Sequence, residues 1–259
     1  MNVKYNNEKI IELYNSGKTD QEMADFFGVT KSAMECKRRT LGLKARTKAL
    51  REDYIPTAQE IAIIIGTLLG DSTIRYVHDR CKYPNLTFVH SPKQEEYFKK
   101  LAEKLKNFKA SAKKYKDNNK LNPYGCKYVF TGRNMRCLIE FRNKFYVNGT
   151  KIIPIDVIEK HFTEESLYYM FMDDGSYDKS SNSYIINTQC FDKTNLQDFC
   201  EVLYKKFNLC FNIKTDNCLY LQHKSNELFQ SILLKYNECD SMIYKCGKLS
   251  LNSVKQGKS

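Results

Sequence analysis

The sequence predicts an α+β fold in which two pseudo-symmetric halves, each in the order αββαββα, follow a small all-α module at the N-terminus. Two observations predict the halves. An apolar run of helical length ends in an acid twice, first in "IAIIIGTLLGD" and again in "LYYMFMDD". After each run come two strand-like stretches and an amphipathic helix, and then a second pair of strand-like stretches and a second helix. A repeat of this kind indicates a pseudo-dimer encoded in one chain.

The third observation is a series of short helical segments at the front of the chain, in residues 1–43. Thr19 and Glu22 have the spacing of a capping box, and Gly28 supplies a turn with positive φ before the next helix. A close turn between two such helices is typical of a helix-turn-helix. The residues expected to face a DNA major groove are Lys31, Ser32, Arg38 and Arg39. A solvated helical hairpin is the alternative interpretation.

The boundaries of the two halves follow from the repeat. A basic linker is expected over residues 44–56, because basic side chains dominate there and Pro56 precedes the first apolar run. The first half then covers residues 57–153, and the second half covers residues 154–259.

Composition limits the classes of function. The chain has 259 residues, a net charge of +12 and a pI near 9.1, which favour a polyanionic partner such as nucleic acid. No apolar run reaches the length of about 20 residues that a membrane span needs, and the N-terminus lacks the apolar core of a secretion signal. No membrane partner is therefore expected. The cysteines form no C-x-x-C pair, which disfavours a zinc site and favours reduced thiols. We expect a cytoplasmic protein of a bacterium or phage, with an organellar matrix as the alternative location.

The two runs carry a resemblance to a known family. "IIGTLLGDS" and "LYYMFMDDG" resemble the two copies of the LAGLIDADG motif, and the chain from about residue 57 to 250 is similar to the monomeric, two-motif LAGLIDADG homing endonucleases. The resemblance implies a saddle of antiparallel sheets and a monomeric enzyme. It also implies hydrolysis of both strands of a long, asymmetric double-stranded DNA target with Mg²⁺ or Mn²⁺.

The acids that end the two runs are the candidate catalytic residues. Aligning the runs at their last acids places Asp174 opposite Asp71 and Asp173 opposite Gly70. Divalent metal ions prefer carboxylate oxygens and stabilise charge on the attacking and leaving oxygens of a phosphodiester, so one aspartate from each helix end would suffice. We expect Asp71 and Asp174 to be catalytic, and the predicted metal site comprises Asp71, Asp174, Gly70 and Asp173. A pair of solvated helix ends is the alternative.

Packing of the two motif helices decides whether these acids meet. Gly66 and Gly70 are four residues apart and share one helix face, so a second helix backbone can approach closely there. The second run departs from the family pattern, because Tyr168 and Tyr169 stand where small residues are usual. The contact is therefore expected to be looser or shifted, and the tyrosines are expected to face the core of their own half.

Basic and polar residues complete the predicted site. By resemblance, Lys151 and Lys245 match the lysines that lie beside the metals in such enzymes, where a cation can neutralise the transition state. Two-stranded ribbons fit the major groove, so the strands are expected to recognise DNA. The candidates in or beside the strands are Lys113, Lys114, Lys116, Lys127, Arg133, Lys214, Gln222 and Lys224.

Two other functions share this architecture. One is an RNA maturase that binds its own intron RNA and assists splicing. The other is a non-enzymatic transcription regulator in which a LAGLIDADG domain is joined to a helix-turn-helix. In such regulators the acids are usually lost, whereas Asp71 and Asp174 are present here. The endonuclease is therefore the favoured interpretation.

Overall fold

The computed structural model describes residues 6–117, 119 and 122–247 of the chain. The chain divides into two compact units, Met1–Tyr54 and Ile55–Ser259. In the described part, no helix is both long and apolar enough to cross a membrane. All ten cysteines are free thiols.

The first unit is entirely helical. Its helices are α1 (Asn7–Asn15), α2 (Asp20–Phe27), α3 (Lys31–Thr40) and α4 (Arg46–Glu52). The fourth helix occupies most of the region that the sequence predicts as a linker. The core of this unit consists of the fully buried side chains of Ile10, Met23, Ala24 and Met34.

The turn between α2 and α3 forms as the sequence predicts. The Thr19 hydroxyl accepts the backbone N–H of Glu22, and the Glu22 carboxylate accepts the backbone N–H of Thr19, which completes the capping box. Gly28 ends α2 with a φ of 62°, a left-handed conformation that costs glycine nothing. The Thr30 hydroxyl then caps α3. Both ends of α2 and the start of α3 are therefore set by local residue chemistry.

The second unit contains the two predicted halves. The first half comprises α5 (Ala58–Leu69), β1 (Thr73–Arg75), β2 (Asn85–His90), α6 (Glu95–Lys104), β3 (Lys109–Lys116), β4 (Cys126–Gly132) and α7 (Leu138–Phe145). A short hairpin and one helix connect the halves: β5 (Tyr146–Val147), β6 (Thr150–Lys151) and α8 (Ile155–His161). The second half comprises α9 (Glu164–Asp174), β7 (Gly175–Asp178), β8 (Ser183–Ile186), α10 (Lys193–Phe207), β9 (Phe211–Ile213), β10 (Leu219–Leu221) and α11 (Asn226–Tyr236). The predicted αββαββα order is confirmed in both halves.

Each half builds a four-stranded antiparallel sheet with the same topology. The strand order is β1-β2-β4-β3 in the first sheet and β7-β8-β10-β9 in the second. One face of each sheet packs on helices, and in the first sheet the rings of Phe88 and Phe130 stack there at 4.4 Å. The opposite face, which we call the open face, carries Val89, Val129 and Lys113 in one cross-strand row. Val89 is 46% exposed, so the described residues leave this part of the open face accessible to solvent.

The two halves meet along α5 and α9. A Cβ added at Gly66 would lie 2.3 Å from the Ser166 carbonyl oxygen and 2.9 Å from the Tyr169 Cβ. Only glycine allows so close an approach of the two backbones. Tyr168 and Tyr169 are both buried, and their rings lie 5.1 Å apart. The contact expected to be looser or shifted is therefore tight, because the atoms nearest to Gly66 are the Ser166 carbonyl oxygen and the Tyr169 Cβ rather than a tyrosine ring. Tyr169 does not face only the core of its own half, since its ring lies 6.4 Å from that of Tyr97 in the first half.

Candidate active site

The close helix contact delivers the acids of both motifs to one end of the seam. α5 ends at Leu69 and α9 ends at Asp174. A Cβ at Gly70 would lie 2.5 Å from the Asp173 Cβ, so the backbone of the first motif touches the side chain of the second. The backbone N–H of Asp71 donates to the Asp173 Oδ2 at 3.3 Å. Asp173 therefore belongs physically to the first motif's site as well as to its own helix.

Asp173 is the most enclosed of the three acids. Its side chain has no solvent exposure, and the Tyr97 hydroxyl donates to its Oδ1 at 2.8 Å. Burial raises the pKa of Asp173 well above its ordinary value, and the charge of Asp71 raises it further. This carboxyl is held in a fixed orientation, and no lysine or arginine of the described residues forms an ion pair with its oxygens.

Asp71 and Asp174 lie nearer to solvent. The Asp71 side chain is 38% exposed. Burial raises the pKa of Asp71, and the charges of Lys245 and Lys151 oppose that increase. Burial and then the charge of Asp71 raise the pKa of Asp174 to about 6. The two carboxyls therefore repel each other through space, which is the electrostatic condition of a site that binds a cation.

Each motif has its own lysine. Lys151 Nζ donates to the carbonyl oxygens of Gly70 at 3.1 Å and Ser72 at 2.9 Å. Lys245 Nζ donates to the carbonyl oxygens of Met172 at 2.6 Å and Asp173 at 3.2 Å. Burial lowers the pKa of both lysines, and the nearby aspartates oppose that decrease. The structure thus brings the two predicted lysines to equivalent places, each bonded to the backbone of one motif.

The sequence reasoning missed His90, which ends β2. His90 is 2% exposed, its Nδ1 lies 3.5 Å from the Asp71 Oδ2, and its Nε2 lies 3.9 Å from the Asp173 Oδ1. Neither ring nitrogen has a hydrogen-bond partner of acceptable geometry in the structure. Burial lowers the pKa of His90 to about 4, and the nearby Gln94 side chain opposes this only in part. The available signal was its position, because alternation along "LTFVHS" puts a histidine in the buried row of β2.

Three side chains at this end of the seam can share a metal ion. Asp71, His90 and Asp173 each offer one ligand atom, and these atoms lie within 4.8 Å of one another. The donor set fits a divalent cation, since two carboxylates supply charge and the imidazole has an unpartnered nitrogen. The carbonyl oxygen of Gly70, another predicted ligand, accepts a hydrogen bond from Lys151.

Comparison with known proteins identifies the family. A family model described as the LAGLIDADG DNA endonuclease family matches residues 61–230, which include most of α5, all of α9 and both four-stranded sheets. The chain belongs to this family.

Two relatives show how far the likeness extends. The "Probable intron-encoded endonuclease 1" of Wickerhamomyces canadensis is 36% identical over 100 residues, which is 36% of this chain and 43% of that protein. The match thus spans less than half the length of that relative. The structure of "the homing endonuclease I-WcaI bound to its DNA recognition sequence" has a TM-score of 0.68 and 25% identity. It covers 81% of this chain and 97% of that one.

Another solved structure is more distant. "I-DmoI in complex with DNA and Mn" gives a TM-score of 0.45 at 13% identity, over 70% of this chain and 98% of that one.

In this LAGLIDADG protein, the alternation of β3 divides the predicted recognition residues. Lys113 pairs with Val129 on the open face. Lys114 pairs with Tyr128 on the helix-covered face, and its Nζ lies 5.8 Å from the centre of that ring. Lys116 shares that face with Lys114, because residues two apart along a strand point the same way.

Two further candidates of the first sheet have partners within the protein. Lys127 is on the open face with Lys113 but lies 3.6 Å from the Asp117 carboxylate. The Arg133 guanidinium donates to the Asn107 carbonyl oxygen at 3.0 Å. Both side chains would have to exchange these contacts to reach a base or a phosphate.

In the second sheet, two of the predicted recognition residues lie near Tyr220. Lys214 Nζ lies 5.4 Å from the centre of the Tyr220 ring. Asn212 is paired with Tyr220 across the strands, and the Gln222 side-chain amide donates to the Asn212 Oδ1 at 3.0 Å. Lys224 lies in the turn that follows and is exposed.

In the first unit, three of the four predicted DNA-facing residues lie on the surface. Lys31, Ser32 and Arg39 are exposed. Arg38, expected on the outward face, is only 4% exposed. Its Nε donates to the Asp20 carboxylate at 2.7 Å, and its Nη1 donates to the Leu43 carbonyl oxygen at 2.7 Å. The expectation for Arg38 is wrong, because this arginine bridges α2 and the end of α3 inside the unit.

Proposed function

We propose that the protein is a metal-dependent, site-specific endonuclease that cuts both strands of double-stranded DNA and works as a monomer. The observation that carries this proposal is the pair Asp71 and Asp174. One acid comes from each half, both lie at the end of the α5–α9 seam, and the charge of Asp71 raises the pKa of both neighbouring acids. Membership of the LAGLIDADG DNA endonuclease family supports the same conclusion.

The acids have distinct roles in the proposed reaction. Asp71 and Asp174 hold divalent metal ions, Mg²⁺ or Mn²⁺, against the scissile phosphates, and Asp173 supports the first site from within the protein. Bound cations supply charge stabilisation for the attacking and leaving oxygens of the phosphodiester. Two acids, one for each DNA strand, account for cleavage of both strands by a single chain.

The two lysines stabilise charge beside the acids. Lys151 and Lys245 are each fixed by two backbone carbonyl oxygens, so their ammonium groups stay beside the acids rather than sampling solvent. A buried ammonium group stabilises negative charge that develops on a phosphate far better than a solvated one does. Each lysine therefore serves the reaction at the motif to whose backbone it is bonded.

The open faces of the two sheets are the proposed DNA-binding surface. Lys113 on the first sheet, and Lys214 and Gln222 on the second, lie on or beside these faces. The two sheets carry different side chains, so the target is long and asymmetric. The first unit extends the footprint as a helix-turn-helix with Lys31, Ser32 and Arg39 towards DNA. The similar protein I-WcaI is bound to its DNA recognition sequence, which supports a sequence-specific target here as well.

The test is cleavage by the full chain. A target is selected from a randomised DNA library with wild-type protein and Mg²⁺ or Mn²⁺, and the wild type is compared with Asp71→Asn and Asp174→Asn. Each substitution keeps the side-chain volume but removes the charge, and we expect the double-strand cleavage rate to fall by at least about 100-fold. Asp198→Asn, at an exposed position on α10, is the control and leaves the rate unchanged. Double-strand cleavage by both active-site variants at the wild-type rate would refute the proposal.

A further inference from the structure

The two motif sites are not equivalent. Aligning Asp71 with Asp174 places Ile74 opposite Tyr177. Ile74 pairs with Leu86 on β2, and Tyr177 pairs with Tyr184 on β8. Leu86 therefore corresponds to Tyr184, and four residues further along each chain segment His90 corresponds to Thr188.

The second half has no counterpart of this histidine as a ligand. The Thr188 hydroxyl donates to the Asn217 carbonyl oxygen at 2.6 Å, so it is already used. Asp173 has Gly70 as its counterpart, which carries no side chain. Two possible side-chain ligands thus lie beside Asp71, whereas the matching positions beside Asp174 offer no free side-chain ligand.

We propose that Asp71, His90 and Asp173 form an asymmetric metal site that takes one first-row transition-metal ion, such as Mn²⁺ or Co²⁺, before DNA binds. The inference rests on the proposed function because it concerns the same metal centre. It adds a nitrogen ligand, a metal preference and an order of binding. The site of Asp174 fills only when DNA supplies phosphate oxygens.

The unpartnered imidazole carries the argument. Neither nitrogen of this buried ring has a hydrogen-bond partner among the described residues, which is unfavourable because burial removes the bonds to water without replacing them. His90 is held in place by aromatic rings, with its centroid 5.5 Å from that of Phe88 and 5.2 Å from that of Tyr97. A metal ion between the ring and the two carboxylates would satisfy one nitrogen and offset the repulsion between the acids.

The distances suit a shared ion. Nitrogen and oxygen ligands lie about 2.1 Å from a first-row metal ion, so two ligands on opposite sides are about 4.2 Å apart. The three ligand atoms lie within 4.8 Å of one another, and closing that gap takes a shift of less than about 1 Å. The partial exposure of Asp71 leaves the outward side open for other ligands.

The nitrogen ligand determines the metal preference. Imidazole binds transition metals well, whereas Mg²⁺ prefers oxygen and gives up its water reluctantly. His90→Gln replaces the ring by an amide of similar reach that offers an oxygen donor. We expect this variant to lose Co²⁺ affinity by about 10-fold or more, while its weak Mg²⁺ affinity stays unchanged.

The experiment measures metal binding by the full chain without DNA. Co²⁺ titration is followed by visible absorption and calorimetry, and pulsed EPR of bound Mn²⁺ detects a directly coordinated imidazole nitrogen. We expect one tight Co²⁺ per chain, together with a nitrogen signal that disappears in His90→Gln. The Asp71→Asn and Asp173→Asn variants lose the tight Co²⁺ as well.

The matched control is Asp174→Asn, because Asp174 is the counterpart of Asp71 in the other half. It loses much less Co²⁺ affinity than Asp71→Asn does, because it removes a nearby negative charge but no ligand of the site. Equal losses in Asp71→Asn and Asp174→Asn, or no nitrogen signal in the wild type, would overturn the inference. Either result leaves the nuclease proposal standing, since that proposal is tested by cleavage. The wild-type pulsed EPR measurement requires no variant to fold.

Discussion

Gly66, which lies where α5 and α9 come into contact, allows a quantitative prediction. In Gly66→Ala, the new Cβ would lie 2.3 Å from the carbonyl oxygen of Ser166, which is backbone and cannot rotate away. An ordinary carbon–oxygen contact is about 3.3 Å, so α5 and α9 must separate by roughly 1 Å. The same Cβ would lie 2.9 Å from the Tyr169 Cβ, so a sideways shift gives no relief.

Two opposing effects set the magnitude. Alanine favours the helix over glycine by about 1 kcal/mol. Overpacking a well-packed interior costs about 1–3 kcal/mol, and a gap of 0.5–1 Å loses about a quarter to a half of the dispersion energy of the contacts it separates. At the top of that range the cost of overpacking exceeds the gain in helix propensity, and we expect the free energy of unfolding of the second unit to fall by about 2 kcal/mol. Displacing reacting groups by about 1 Å lowers rates by about 100-fold.

The assay separates packing from helix propensity. Hydrogen exchange of the α5 and α9 amides reports the stability of this seam directly, without assuming that the whole chain unfolds in one step. Ala62→Gly, one turn earlier on the same helix face, is the matched control. It loses about 1 kcal/mol of helix propensity and keeps the wild-type cleavage rate. Slower exchange in Gly66→Ala than in the wild type, with unchanged cleavage, would refute the reasoning.

Three further predictions concern the surfaces and the first unit. We expect Arg38→Ala to unfold the first unit, because the carboxylate left unpaired lowers the free energy of unfolding by about 3–5 kcal/mol. Circular dichroism of the thermal transition tests this. Arg39→Ala leaves that transition in place and lowers only DNA affinity. On the first sheet, Lys113→Ala reduces the slope of log affinity against log salt by about 0.9, whereas Lys114→Ala reduces it less. Equal slopes would contradict the division of β3 into faces. NMR titration of the Glu22 carboxyl gives a pKa of about 2, because backbone and side-chain hydrogen bonds hold the charged form. Its stabilising effect is complete above the ordinary value of 4.5 and is lost as the pH falls towards about 2.

The parts of the fold that depend on local chemistry were predictable from the sequence. Thr19, Glu22 and Gly28 set the ends of α2 through contacts no more than four residues away. The repeat predicted both sheets, because the same order of apolar periods occurs twice. Gly66 predicted the close helix crossing, since a helix face without a side chain lets a second backbone come into contact there.

The parts that depend on distant neighbours were not predictable in the same way. Arg38 has the helical position of a surface residue, and only the placement of Asp20 on another helix turns it inward. His90 is one of four histidines in the chain, and its role depends on two carboxyls that approach it only in the folded structure, Asp71 of its own half and Asp173 from across the seam. The tyrosines of the second motif suggested a loose contact because sequence spacing does not reveal which way a ring turns.

Asymmetry of the two motifs follows from the closeness of the seam itself. Gly70 and Asp173 occupy matching positions, and a Cβ at Gly70 would lie 2.5 Å from the Cβ of Asp173. Two side chains cannot occupy that space, so at most one half can place an acid there. In this chain the second half supplies the acid, and its carboxylate points towards Asp71 and the Tyr97 hydroxyl, both in the first half. Tight packing therefore allows an acid at this position in only one of the two halves, an asymmetry that a symmetric pair of identical chains could not achieve.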